Sequence, residues 1–161
     1  SIVPTIHIAA GIGRAPTAMA AYDAALADAN LHNYNLVSVS SIIPADATIE
    51  VVDRAPDLGP AGNRLTVVEG KSVVGPDASA DTAATAITWA TGPGPGLFYE
   101  ASGTDPDAVE REARRGLDAG RELRDWELTD RDTHVAAVDT TGDSYTAAVV
   151  VAAYGDSEPI C

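Results

Sequence analysis

Apolar and polar positions change rhythm several times along the chain, and each change marks an element. Ile2 to Ala10 is short and β-prone and ends at Gly11-Ile12-Gly13, which predicts a strand followed by a turn. From Pro16 to Asn30 the spacing is helical: Met19, Tyr22, Leu26 and Ala29 define one buried face, with Asp28 outside it and Asp23 near its edge. Asn35 to Ser40 alternates again, Leu36, Ser38 and Ser40 against Val37 and Val39. Pro44 cuts this strand short just after Ile42-Ile43, so the chain is expected to turn soon after Ser41.

Further strands are expected at Ala47 to Val52, Leu65 to Val74, Thr82 to Ala90 and Leu97 to Ser102, divided by the turn-rich Asp53 to Asn63 and Gly92 to Gly96. Asp105-Pro106 offers an N-cap and a proline in the first turn. Val109, Ala113, Leu117 and Gly120 then mark a helix face ending near Arg124. Two closing strands, within Trp126 to Asp139 and at Tyr145 to Tyr154, flank Thr141-Gly142-Asp143 and look like a hairpin. About seven strands with two helices far apart in sequence predict an α+β fold, the helices covering mostly antiparallel sheets.

Composition adds one constraint on the core. With 45% hydrophobic residues in 161, the chain can bury one sizeable core, and a single domain spanning 1–161 is expected. Only one Phe, two Trp and one Met are present, so that core must be built from closely packed Ala and Val.

Charge narrows the partners. Against 24 acidic residues stand ten basic ones, of which Lys71 is the only lysine, giving a net charge of −14. Such a surface disfavours nucleic acid and anionic membranes; of two readings of the acidity, a field that concentrates cationic ligands and solvation in a cytoplasm of very high salt, the scattered acids and near absence of lysine favour the second. No run approaches the roughly 18 apolar residues that would span a membrane. The N-terminus does not read as a secretory signal and Cys161 is the only cysteine, so the cytoplasm is the expected compartment and no internal disulfide can form.

Several motifs fail as chemistry. Gly11-x-Gly13-x-x-Pro16 lacks the third glycine of a dinucleotide loop, and no acidic residue ends the next strand at Ser40. His7, His32 and His134 lack the spacing of a metal set, so no metal is expected. Ser40-Ser41 taken alone carries nothing, because paired serines at strand ends usually bond their own backbone.

The surroundings of that pair carry more. Asn35-Leu36-Val37-Ser38-Val39-Ser40-Ser41-Ile42-Ile43-Pro44 closely resembles the segment at which pyruvoyl-dependent arginine decarboxylases cleave themselves. Tyr22-Asp23-Ala24-Ala25-Leu26 resembles the early helix of that family, and Leu97-Phe98-Tyr99-Glu100 the strand bearing its acid. Leu123-Arg124-Asp125-Trp126-Glu127-Leu128 resembles its helix-to-strand junction. The resemblance spans roughly Thr5 to Tyr154. It departs over Asp53 to Gly75 and at Ser102, where the family often has an acid.

The resemblance implies a four-layer αββα sandwich assembled as a homotrimer. It also implies self-cleavage into residues 1–40 and 41–161, and a covalent pyruvoyl group made from Ser41. The Ser41 hydroxyl would attack the Ser40 carbonyl, with Asn35 donating to the developing oxyanion and a constrained turn easing the step. Elimination and hydration would release ammonia and leave a ketone that forms a Schiff base with the substrate amine and draws electrons as carbon dioxide leaves. Glu100 is implied as the general acid. Asp23 is implied to hold the arginine guanidinium, with Leu26, Ser40 and Ile42 lining the substrate. The expected reaction is arginine to agmatine. Another basic amino acid as substrate, or an unprocessed structural or regulatory subunit, are the alternatives.

Overall fold

Strands buried on both faces account for the abundance of small apolar residues. The computed structural model describes residues 4–161, so Ile2 and Val3 of the expected first strand lie outside the described residues. Its elements are β1 (Thr5–Ala15), α1 (Ala18–Asp28), β2 (Asn35–Ser38), β3 (Ile42–Ile43), β4 (Thr48–Val51), β5 (Arg64–Val74), β6 (Thr82–Thr91), β7 (Gly96–Gly103), α2 (Pro106–Glu122), β8 (Asp130–Asp139) and β9 (Tyr145–Tyr154). One sheet runs β2-β5-β9-β1-β4 and the other β3-β7-β6-β8. Among the described strand pairs only β1 with β4 and β2 with β5 are parallel.

The two sheets pack face to face through Ile6, Ile8, Ile87, Phe98 and Val150. Helix α1 covers the outer face of the first sheet over Leu65, Val67, Val149 and Val151, and α2 covers the second over Ala84, Ala86 and Leu97. This is the expected αββα layering. Strands β6 and β9 run through the middle of their sheets with every interior residue buried, which is why they read as continuous apolar runs rather than alternating ones. The buried hydroxyls of Thr85 and Thr88 are satisfied by the carbonyls of Ala101 and Asp132.

Two expectations are corrected here. The Gly11-Ile12-Gly13 stretch is not a turn: β1 continues through it to Ala15, paired throughout with β9. The glycines serve close approach instead. A Cβ on Gly11 would run into the Ala25 carbonyl, and one on Gly13 into the backbone of Ala21 and Ala25, because α1 lies directly on the strand. For the same reason the buried face of α1 is Ala21, Ala25 and Leu26, with Ala29 beyond. Met19, expected inside, is 77% exposed. Where α1 crosses Gly11 and Gly13, the helix and its C-cap present the methyl-sized Ala21, Ala25 and Ala29.

The second correction concerns the closing strands. β8 and β9 are not a hairpin: β8 pairs with β6 at an edge of the second sheet, while β9 lies between β5 and β1 in the first. Residues 140–144 cross from one sheet to the other. Period-two patterning reports a strand but not its partner. The doubly buried β9 needs an interior position, whereas β8 begins with exposed Asp130, Arg131 and Asp132, which suit an edge.

Helix α2 follows the sequence reading. The Asp105 carboxylate accepts the N–H of Asp107 at 3.0 Å, and Val109, Ala113, Leu117 and Gly120 are buried. Gly116 and Gly120 leave room for the ring of Tyr99 from β7.

Replacing Gly11 by Ala should lower unfolding free energy by about 1–3 kcal/mol, the usual cost of an overpacked core, in denaturant titrations at constant salt. An unchanged midpoint would show that α1 can lift from β1 without loss.

Candidate active site

The chain passes from one sheet to the other at Ser40-Ser41. Before the pair, β2 runs beside β5, and the last bond to the first sheet is Val39 N–H to the Val67 carbonyl at 3.0 Å. After it, the Ser41 carbonyl accepts the Phe98 N–H at 2.8 Å, and Ile42 and Ile43 pair with Leu97 and Gly96. The Ser40–Ser41 peptide is thus held from both sides. Within it the Ile42 N–H donates to the Ser40 carbonyl at 3.0 Å, closing a three-residue turn. Neither serine has a left-handed backbone; among the described non-glycine residues only Asn30 does, with φ 62°. The constraint expected at this turn takes the form of tethers, not of an unusual backbone angle.

Ser40, Ser41 and Ile42 line a cavity of about 260 Å³ with Leu97, Tyr99, Glu100 and Arg124. Glu100 is brought there by β7, on the same face as Phe98. Its side chain opens to solvent at the cavity, yet partial burial raises its carboxyl pKa, while its own backbone N–H acts in the opposite direction.

Tyr154, the last residue of β9, hydrogen-bonds the Ile42 carbonyl at 2.8 Å and packs edge-on against Phe98. Burial, and then the charge of Glu100, push its phenol up to about 12, so it stays a donor at neutral pH. The sequence offered no sign of Tyr154 beyond its place at the end of an apolar strand.

The other expected site residues lie elsewhere on this chain. Asp23, Leu26 and Asn35 line a separate cavity of about 610 Å³, walled by Met19, Tyr22 and Leu36 among others, that shares no wall residue with the first. Asp23 is exposed and Leu26 buried. The Asn35 side-chain amide donates to the Gly62 carbonyl at 2.8 Å. Beside Asp23, Tyr22 donates to both carboxylate oxygens of Glu69, each at 2.9 Å, and Lys71 stands 4.6 Å from the ring centre. Burial and the Glu69 charge raise the Tyr22 pKa. Sequence reasoning found neither Glu69 nor Lys71, because the contact joins β5 to α1 across 47 positions.

The expected site residues are therefore divided between two cavities of one chain. The smaller holds the serine pair and a carboxylic acid; the larger holds an exposed carboxylate on a half-apolar wall. No helix among the described residues is long and apolar enough to cross a membrane, and Cys161 is exposed.

Comparison with known proteins agrees over nearly the whole length. The family model described as pyruvoyl-dependent arginine decarboxylase matches residues 5–159. Proteins of that name from two strains of Halobacterium salinarum are 54% identical over 160 residues, 98% of this chain and 98% of theirs. One from Thermococcus sibiricus is 33% identical over 134 residues, 83% of each chain, and one from Methanopyrus kandleri is 30% identical over 148, covering 91% of this chain and 93% of the relative. With the serine pair between two sheets, the acid-bearing strand beside it and this match, the chain belongs to the pyruvoyl-dependent arginine decarboxylase family.

Proposed function

We propose that this chain cuts itself between Ser40 and Ser41, makes a pyruvoyl group from Ser41 and with it converts L-arginine to agmatine and carbon dioxide in the cytoplasm of a salt-adapted cell. The observation that carries this reading is the common wall: both serines and an acid of raised pKa face one cavity in a chain of this family. The surroundings of Ser41 fit the group, because its carbonyl is already held by Phe98 N–H, and the conversion, which would replace the nitrogen on Cα by a ketone oxygen and turn Cβ into a methyl, leaves that carbonyl in place. Once formed, the ketone supplies an electrophile for the substrate amine and a neighbouring carbonyl to draw electrons.

The chain's own residues prepare both stages. In self-cleavage the Ser41 hydroxyl attacks the Ser40 carbonyl carbon, exchanging amide for ester, and negative charge develops on the Ser40 oxygen. That oxygen already accepts the Ile42 N–H, a donor that needs no reorganisation. Asn35 has one amide N–H beyond its bond to Gly62 and is the candidate second donor once chains assemble. Elimination then leaves a carboxylate on Ser40, and hydration at position 41 releases ammonia. In turnover Phe98 N–H holds the Ser41 carbonyl, Tyr154 holds the next one, and Glu100 delivers the proton to the carbon that has lost carbon dioxide.

Two half-sites call for a second chain. Met19, Val37, Val39 and Ile42, at or between the two cavities, are exposed by 77%, 39%, 41% and 39%. Homotrimer formation covers this apolar band and brings the Asp23 cavity of one chain to the Ser41 cavity of the next, where Asp23 meets the guanidinium and Leu26 its methylenes.

Mass spectrometry of the purified protein should find residues 1–40 and 41–161 as separate masses, and Ser41→Ala should remain whole. A single uncut wild-type mass would end the self-processing reading and leave the non-catalytic subunit standing.

Glu100→Gln should still cleave but lose roughly 10²–10⁴-fold in kcat. A general acid works only while protonated, so wild-type kcat should fall as pH rises through the elevated Glu100 pKa, and the variant should lack that limb. A fully active variant would remove Glu100 from the chemistry.

Asp23→Asn should raise the KM for arginine strongly and leave self-cleavage intact. Mixed trimers of Asp23→Asn and Glu100→Gln chains should regain activity if neighbouring chains share each site; mixtures no better than their parts would mean that each chain works alone.

A further inference from the structure

One cation faces the serine cavity, and nothing in the chemistry above uses it. Arg124 lines this cavity together with Glu100, yet among the described residues no carboxylate lies within ion-pair distance of its guanidinium. It is nevertheless held in place. Nη1 donates to the Gly120 carbonyl at 2.8 Å, at the end of α2, and the guanidinium carbon stands 5.3 Å from the centre of the Trp126 ring. That leaves the remaining N–H donors of a flat, permanently charged fork available beside Ser41.

The substrate brings a group that this cavity must accommodate. Its α-amine and α-carboxylate share one carbon, so when the amine reaches position 41 the carboxylate lies within the same cavity of about 260 Å³. The other walls there are Leu97, Ile42 and the Tyr99 ring, with Glu100 as a carboxyl that would repel a second anion when ionised. A carboxylate withdrawn from water into such a space needs a charged, hydrogen-bonding partner. We propose that Arg124 binds the α-carboxylate of the substrate and so lets the site distinguish an amino acid from its decarboxylated product. This rests on the reaction at Ser41 described above.

The energetic sign follows from the chemistry. A bond to a carboxylate is strongest before carbon dioxide leaves, so Arg124 strengthens substrate binding more than it lowers the barrier. Its loss shows in KM, with kcat changed little. Agmatine has no carboxylate and gains nothing from Arg124, which keeps the product from competing on equal terms. One rival occupant faces the same cavity, the carboxylate that cleavage leaves on Ser40. Pairing with it would make Arg124 equally important, or equally unimportant, for arginine and agmatine.

The test compares the two compounds on the assembled protein. Arg124→Gln should raise the KM for arginine roughly 10- to 100-fold, the range for loss of a charge-assisted hydrogen bond, while the inhibition constant of agmatine shifts by less than about threefold. Calorimetry on the uncleaved Ser41→Ala chain, with and without Arg124→Gln, should show the same selective loss of arginine affinity without any turnover. Arg124→Lys, which keeps the charge but not the fork, should fall between, and it decides the matter if the Gln variant does not fold. Equal shifts for arginine and agmatine, or none for either, would overturn the assignment. A Ser41→Ala chain with Arg124 intact that binds neither compound would sink the cavity reading itself, and the role of Arg124 with it.

Discussion

The site depends on a short stretch of backbone tied to two different sheets. Val39 is bonded to β5, Ser41 to β7, and the peptide between Ser40 and Ser41 spans the gap. Neither tether is strong alone, since a net backbone hydrogen bond contributes about 1 kcal/mol. Together they fix where the Ser40 carbonyl points and which cavity the Ser41 side chain enters. The αββα layering makes this possible, because only a chain that leaves one sheet and joins the facing one needs such a crossing.

The rest of the fold serves that crossing by keeping the sheets rigid relative to each other. β9 supplies an interior of Ala and Val, against which β6 sets Ile87 and Trp89. Phe98 then bridges the sheets, touching Trp89 in its own sheet and Tyr154 in the other. Tyr154 also bonds the residue after Ser41, so the first sheet contributes to the alignment of β3, the second-sheet strand that follows the serine pair.

Much of this was readable in the residues and some was not, for physical reasons. The helix α2 stood out because its cap and its 3.6-residue spacing are local. The face of α1 was misread at Met19 because periodicity cannot report how near the helix lies to its sheet; Gly11 and Gly13 are the residues that say so, and they looked like a turn. The partner of β9 was missed because pairing is settled by burial across the whole fold. Of the expected site residues, Ser40, Ser41, Ile42 and Glu100 line one cavity, whereas Asp23, Leu26 and Asn35 line another, a division set by the fold that no local pattern reports. A sequence and a resemblance name candidate residues, but only the fold shows that they divide between two cavities.

The position of β1 bears on what a break at Ser40–Ser41 would leave behind. β1 is an interior strand, flanked by β9 and β4, with α1 packed across its glycines, and β2 is paired to β5. The severed N-terminal piece would stay interleaved with the larger one, as in a split protein whose halves never part. Unfolding after the cut becomes a dissociation, so recovery depends on concentration and the two halves must find each other again. Such a cut would therefore act as a ratchet: the intact chain would fold as one piece, and the nicked form would inherit a shape it could not easily regain.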